Sequence, residues 1–244
     1  MSQYPSMPQA KAAKAELVNA FMRGVYGWMS AGLGLTALVA YATLYVPALS
    51  RLAFAYNAET GLLQPTMLPM IALFASFGMV FFLSFKISTM NPSTATTLFM
   101  VFSGLTGFSL APILMVYTES SVFATFLTTA GMFGTMSIYG MITKKDLTGW
   151  GSLLFMGLIG IIIAMIVNFF LQSSAMSFAI SVIGVIIFLG LTAYDTQKLK
   201  TMGENVPMND AAAIRRGTIL GALTLYLDFY NLFLMLLRLM GDRR

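Results

Sequence analysis

The sequence predicts an all-α membrane protein, a bundle of seven transmembrane helices, and three observations predict it. Of the 244 residues, 58% are hydrophobic and only 9% charged, where a soluble domain carries about 25% charged residues. Mean hydropathy is +0.81, more apolar surface than the core of one soluble domain hides from water. The charges also fall between apolar runs long enough to cross a hydrocarbon layer about 30 Å thick, which takes about 20 residues of helix.

Taken in order, residues 1–22 form a polar N-terminal tail that includes Lys11 and Lys14. The spans are expected near 24–46, 67–87, 97–117, 121–142, 150–171, 176–197 and 215–238. The first lies in the charge-free run Gly24 to Ser50. That run is too long for a signal-peptide core, and no small-residue cleavage site follows, so it is expected to stay as a signal anchor. The next three lie in Thr60 to Phe85, Ile87 to Thr118 and Ser120 to Thr143. Leu147 to Tyr194 is about twice a single span, and the polar cluster Gln172-Ser173-Ser174 near its middle is the natural turn. The last run, Gly217 to Leu239, is interrupted only by Asp228 and Arg238, and at about 1.5 Å rise per residue it is long enough to cross. Residues 23–240 thus make one transmembrane domain and 241–244 a C-terminal tail, with no separately folding soluble domain. The stretch from Lys198 to Arg216 is expected as the one sizeable internal connection and a regulatory contact.

Orientation follows from Lys and Arg counted on alternating sides. One side collects Lys11, Lys14, Arg23, Lys86, Lys144, Lys145, Lys198, Lys200, Arg215 and Arg216; the other has Arg51, Arg238, Arg243 and Arg244. The split puts the N-terminus in the cytoplasm and the C-terminus outside, although a re-entrant last segment would return the tail to the cytoplasm. The net charge of +5 is therefore read as topology. No basic stripe interleaved with aromatics is present, and no nucleic-acid partner is expected; the partner is the lipid bilayer.

Composition also removes chemistries. Without Cys there is no disulfide framework, thiolate metal site or cysteine nucleophile. Without His there is no imidazole base, haem ligand or histidine pH switch, and no rhomboid-type serine protease, which needs a His partner. A retinal protein needs a Schiff-base Lys in its last helix, and residues 217 to 237 contain none. No Walker-type, HExxH or Gly-rich dinucleotide motif occurs. Neither an enzyme nor a cofactor is expected.

Small residues recur at close-packing spacing: Gly27 with Ala31, Gly104 with Gly107, Gly131 with Gly134, Gly157 with Gly160, and Gly217 with Gly221. In lipid, helices associate through such faces. Only Gly217-x-x-x-Gly221 fits the strict motif, which suggests that the last helix is tightly surrounded and central.

Intramembrane charges are the informative residues, because an Asp at a helix centre costs about 2.5–3.5 kcal/mol on insertion scales. Asp228 lies three to four turns inside the seventh span, with no Lys or Arg near it on its own helix and with Thr224, Asn231 and Met235 on the same stripe. Asp195 lies near the cytoplasmic end of the sixth span. Both occupy one half of the membrane and can meet. Two carboxylates sharing a partly dry site cannot both ionise cheaply, so their titration belongs to the pair. The bland alternative pairs Asp195 with Lys198 and leaves Asp228 to structural hydrogen bonds. Lys86 ends the second span, where snorkelling is its default role, and is the nearest free cation for the pair. Glu119 sits in a short outer turn as a possible mouth residue, and Asn168 is a path-lining candidate or an interhelical hydrogen bonder.

Several segments together resemble the Bax inhibitor-1 (TMBIM) family, close to its bacterial inner-membrane branch. They are Val25-Tyr26-Gly27-Trp28-Met29, Gly107 to Tyr117 with Ala111-Pro112-Ile113, Thr143-Lys144-Lys145-Asp146-Leu147, Leu191-Thr192-Ala193-Tyr194-Asp195-Thr196-Gln197-Lys198, and Leu223 to Phe233 around Asp228. The resemblance implies a seven-helix bundle with the last helix at its centre, in a bacterial inner membrane. It also implies a pH-sensitive calcium leak in which Asp195 and Asp228 occupy the positions of a paired-aspartate sensor. Where bacterial leak channels of the family link an Arg to that pair, Lys86 stands here, without the bidentate fork of Arg. Calcium enters as the transported ion, and its only expected site is a transient one near Asp195 and Asp228. Two other readings stay open: a membrane interaction protein that restrains another membrane protein such as a quality-control protease, and a proton-coupled calcium exchanger.

Overall fold

In the computed structural model, which describes residues 7–59, 61–206 and 210–244, seven helices are long and apolar enough to cross a membrane. They are α1 (Met7–Tyr45), α3 (Met67–Lys86), α4 (Pro92–Met115), α5 (Glu119–Ile142), α6 (Thr148–Leu171), α7 (Ser174–Asn205) and α8 (Ala211–Met240). Short α2 (Pro47–Ala53) and the hairpin β1 (Phe54–Asn57) and β2 (Leu62–Pro65) join α1 to α3. The chain is an all-α membrane bundle with this one small sheet.

Local chemistry sets the ends. Thr66, Asn91, Thr118, Ser173 and Asp210 each accept a backbone N–H of the first turn of α3, α4, α5, α7 and α8, satisfying donors that the helix itself leaves unpaired. Pro92 begins α4, where its missing N–H costs nothing. The expected turn at Gln172-Ser173-Ser174 is the observed one: Gln172 takes a left-handed conformation with φ 53°, and Ser173 then caps α7 through Met176 N–H at 3.3 Å.

α8 is the axis of the bundle. It packs against α1, α4, α5 and α7, and 67% of its most apolar stretch is buried, against 6% in α6. α6 packs chiefly on α7, and most of its residues are exposed. The Gly217–Gly221 stripe is what lets α8 be enclosed. A Cβ on Gly221 would stand 2.8 Å from Leu199 Cδ2 and 3.0 Å from Val25 Cγ2, so α1 and α7 close on this helix through a position without a side chain.

Two expectations are corrected. Helix α1 begins at Met7, inside the stretch assigned to a polar tail, and Val18, Phe21 and Met22 are buried; residues 1–6 lie outside the described residues. Most of the Lys198–Arg216 connection is helix, because α7 continues to Asn205 and α8 starts at Ala211, and residues 207–209 lie outside the described residues. The sizeable connection is instead α2 with the hairpin, pinned by Thr66, whose N–H donates to Ala53 O at 2.8 Å and whose hydroxyl donates to Leu52 O at 2.6 Å.

The small-residue pairs divide. A Cβ on Gly107 would collide with Thr36 O, and one on Gly157 would meet Ile187 Cδ1 at 2.7 Å. Gly27, Gly104, Gly131, Gly134 and Gly160 have nothing within 4 Å of an added Cβ, so they are not contact positions.

The last helix also settles its own course. At its start Arg215 Nε donates to Thr96 Oγ1 at 3.3 Å, at the beginning of α4. At its far end the tail pairs with the α4–α5 turn: Thr118 N–H donates to Asp242 O, and Arg244 N–H donates to Val116 O, both at 2.9 Å. α8 therefore runs the length of α4 and is not re-entrant.

Candidate functional site

The site is built where α7 and α8 lie side by side at the end of the bundle that carries the α5–α6 turn. Asp228 projects from the central helix and is 5% exposed. Its carboxyl meets that of Asp195, within hydrogen-bonding reach. Asp195 is half-buried. Around the pair the main apolar cluster contributes Leu191 and Leu199, one turn to either side of Asp195, and Leu225 and Leu232, about one turn to either side of Asp228.

The electrostatics follow from that enclosure. Asp228 Oδ2 is buried with no hydrogen-bond donor facing it. A buried acceptor without a donor costs about 1–3 kcal/mol, and two facing carboxylates repel. One shared proton resolves both, since a protonated carboxyl donates to the ionised one. The cation whose field reaches Asp195 is Lys198 on the next turn of α7. From α1, Tyr26 OH lies 3.4 Å from the hydroxyl of Thr196, the neighbour of Asp195.

Beyond the pair α8 carries a second buried polar contact. Tyr226 OH and Thr36 Oγ1 are 2.6 Å apart, and Thr36 also donates to Ser103 O at 2.9 Å. The Tyr226 ring is packed edge-on by Phe99 and Phe102, at 6.1 and 5.1 Å between centroids. One hydroxyl thus ties α8 to α1 and α4.

The other nominated residues fall as follows. Lys86 is exposed at the end of α3, and no ion pair or side-chain hydrogen bond is found for it among the described residues. The structure does not bring it to the aspartates. Thr224 donates to Leu220 O at 3.1 Å and Asn231 Nδ2 to Leu227 O at 2.8 Å, both within α8. Asn168 staples the α6–α7 turn, donating to Ser177 Oγ at 2.7 Å and accepting Ser173 N–H at 3.0 Å. Glu119 lies at the opposite end of the bundle from the pair, accepting from Tyr45 OH and from Arg244 Nη2 at 3.3 Å.

Sequence reasoning missed Arg215 and Arg216. Arg215 lies over the Trp28 ring at 4.4 Å, and Arg216 Nη1 donates to Met90 O at 3.4 Å. Their guanidinium groups bind the start of α8 to α1 and to the α3–α4 turn. The signal in the sequence is two adjacent arginines immediately before an apolar run, which the positive-inside rule by itself also accounts for. Outside the spans, hydrogen bonds from the Thr148 side chain and backbone hold the Asp146 carboxyl below the usual carboxylate range.

As a donor set, the pair supplies two carboxylates. No group of three or more acidic side chains able to hold a metal ion occurs among the described residues. Calcium takes six to eight oxygen ligands, so two carboxylates suit a passing ion better than a stored one.

Comparison with known proteins agrees along the chain. The family described as "Inhibitor of apoptosis-promoting Bax1" matches residues 18–244. Inner membrane protein YbhL of Escherichia coli is 48% identical over 245 residues, covering 100% of both chains. An uncharacterized protein of Borreliella burgdorferi is 43% identical over 226 residues, 93% of each chain. Another from Rickettsia prowazekii is 43% identical over 229 residues, 94% of this chain and 92% of its own.

Proposed function

The chain belongs to the Bax inhibitor-1 family, and from that premise we propose that this multi-pass membrane protein is a passive calcium leak of a bacterial inner membrane, gated by the proton shared between Asp195 and Asp228. The observation that carries the reading is the buried Asp228 Oδ2, which has no donor unless the pair holds a proton. With one proton, a charged hydrogen bond ties α7 to α8. Without it the carboxylates repel; with two, the charged bond is gone. Either change loosens the contact between two helices at one end of the path and shifts the closed and open populations. Lys198 on α7 and the Tyr26–Thr196 contact from α1 set the local field and hold the surrounding helices.

Calcium flux into liposomes holding the purified protein tests this, scanned from about pH 5 to 8 beside Asp195→Asn, Asp228→Asn and the double variant. The expected result is a pH-dependent flux in the wild type, with that dependence abolished in the double variant. Unchanged pH dependence in the double variant overturns the sensor. Absence of flux from folded, inserted protein overturns the leak and favours an interaction protein, and flux that follows an opposing proton gradient favours an exchanger.

A further inference from the structure

At the end of the bundle away from the aspartates, a cavity of about 610 Å³ lies between α1 and α5, with α4 and α8 behind it and the hairpin above. The volume is in the range of about 300–1,000 Å³ that holds drug-sized ligands. α1 packs on α4 and α8, and α5 packs on α7 and α8, which leaves the seam between α1 and α5 open along the cavity. Its rim is Tyr41 on α1 and Phe123 on α5, 65% and 64% exposed, on helices whose outward faces meet hydrocarbon. Its inner wall includes Leu33, Leu110, Phe229 and Phe233.

Water does not fill such a space well, because a buried water needs two to four polar partners, and the deep walls offer few beyond the hydroxyls of Thr36 and Tyr230. The cavity also has a length. Along α1 its lining runs from Leu33 to Tyr45, twelve residues or about 18 Å at about 1.5 Å per residue. That is roughly half of a hydrocarbon core about 30 Å thick, the depth of one leaflet. Charged side chains line it at the top, where Tyr45, Glu119 and Arg244 meet. Arg244 has its side chain 51% exposed and gives one bond to Glu119; its guanidinium carries five donors in a fork that matches a phosphate.

We propose that this cavity is a phospholipid site: one acyl chain enters sideways between α1 and α5 and lies against Phe229, while the headgroup phosphate sits on Arg244 at the hairpin end. The site stands independently of the leak reading, and its test measures lipid rather than flux.

The experiment is native mass spectrometry of the full chain released from mild detergent, comparing wild type with Ala37→Trp and Leu38→Trp. Ala37 lines the cavity and is exposed, so the indole fills the space without displacing packed neighbours. Leu38 is 66% exposed, lies outside the cavity and serves as the control. Wild type and Leu38→Trp are expected to retain one phospholipid per chain. In Ala37→Trp retention falls about tenfold, equivalent to ~1.4 kcal/mol. Equal retention in all three overturns the site, as does a wild type that retains none or an adduct with the mass of a free fatty acid.

A second measurement covers the case in which Ala37→Trp does not fold. In detergent supplying about one chain-brominated phospholipid per protein, the added fluorescence of Phe123→Trp is quenched and that of Leu127→Trp, on α5 but outside the cavity, is not. Equal quenching of the two overturns the proposal.

Discussion

Among the described residues three buried side-chain oxygens lack a hydrogen-bond partner, those of Thr125 and Ser137 and Asp228 Oδ2, and of these Asp228 Oδ2 alone belongs to an ionisable group. If its missing donor is a shared proton, an amide at that position supplies the donor permanently. Asp228→Asn places Nδ2 against the Asp195 carboxylate, so the α7–α8 contact survives without protonation. The variant is expected to melt no lower than the wild type in detergent, and its melting temperature should stop varying between about pH 5 and 8. A retained pH dependence would place the titrating group elsewhere. Tyr226 makes the contrasting prediction, because Thr36 keeps its bond to Ser103 O when the tyrosine hydroxyl is removed. Tyr226→Phe leaves no orphaned partner and should cost only about 0.6 kcal/mol, the average for interhelical hydrogen bonds in a membrane. A loss near 3 kcal/mol in reversible unfolding would mean that the hydroxyl supports more than the α1–α8 contact. The two aspartates were legible in the sequence because carboxylates in apolar runs are expensive and rare. Lys86 was nominated on sequence position, and distance between side chains is what position along a helix does not supply.

Elements differ in how much spacing says about packing. A Gly-x-x-Gly pair looks alike whether it faces another helix or lipid, and the structure separates the two on a single helix. On α5, a Cβ at Gly140 would collide with Ala193 O on α7, a backbone atom that cannot step aside. Gly131 is exposed with nothing within 4 Å. Gly140→Ala is therefore expected to lower stability by about 1–3 kcal/mol through overpacking. Gly131→Ala should leave it unchanged or raise it by up to about 1 kcal/mol through helix propensity. Thermal melts of the two variants in one detergent check the sign. At the start of α6 the cap is electrostatic: Asp146 Oδ1 accepts Thr148 N–H at 2.9 Å, and bonds from Thr148 lower its pKa. A depressed carboxylate contributes stability above its unfolded pKa, near 3.9, and loses it as pH falls through the lower folded value. The α5–α6 turn should accordingly keep its amide protection at pH 5 and lose part of it as pH falls below the ordinary carboxylate range, whereas Asp146→Asn should show no such step. The hairpin between α1 and α3 was not legible because its strands are four residues each, and Leu62 and Leu63 merge into the apolar run ahead of α3.

Over the whole molecule the seven crossings could be read from sequence, because lipid forces every backbone polar group into a helix and charge marks where each helix stops. Which end faces the cytoplasm is a separate matter, decided by the charge asymmetry. Seven crossings place the α7–α8 connection and the C-terminal tail at opposite ends, and the pairing of Thr118 and Arg244 with the tail holds it beside the α4–α5 turn. Ten of the fourteen Lys and Arg belong to the end with the α5–α6 and α7–α8 connections, the end that the positive-inside rule expects in the cytoplasm. With no native cysteine, each introduced thiol reports its own side without background. The positions Ala58 in the hairpin turn, Glu204 near the end of α7 and Asp242 in the tail are all exposed. In right-side-out membrane vesicles a membrane-impermeant maleimide should label Ala58→Cys and Asp242→Cys and spare Glu204→Cys; inverted vesicles should reverse the pattern. Labelling of Asp242→Cys together with Glu204→Cys would overturn α8 as a full crossing. Reversal of all three would keep the fold and place the aspartate pair at the outer face, so that the pH it senses would be that of the surroundings and not of the cell.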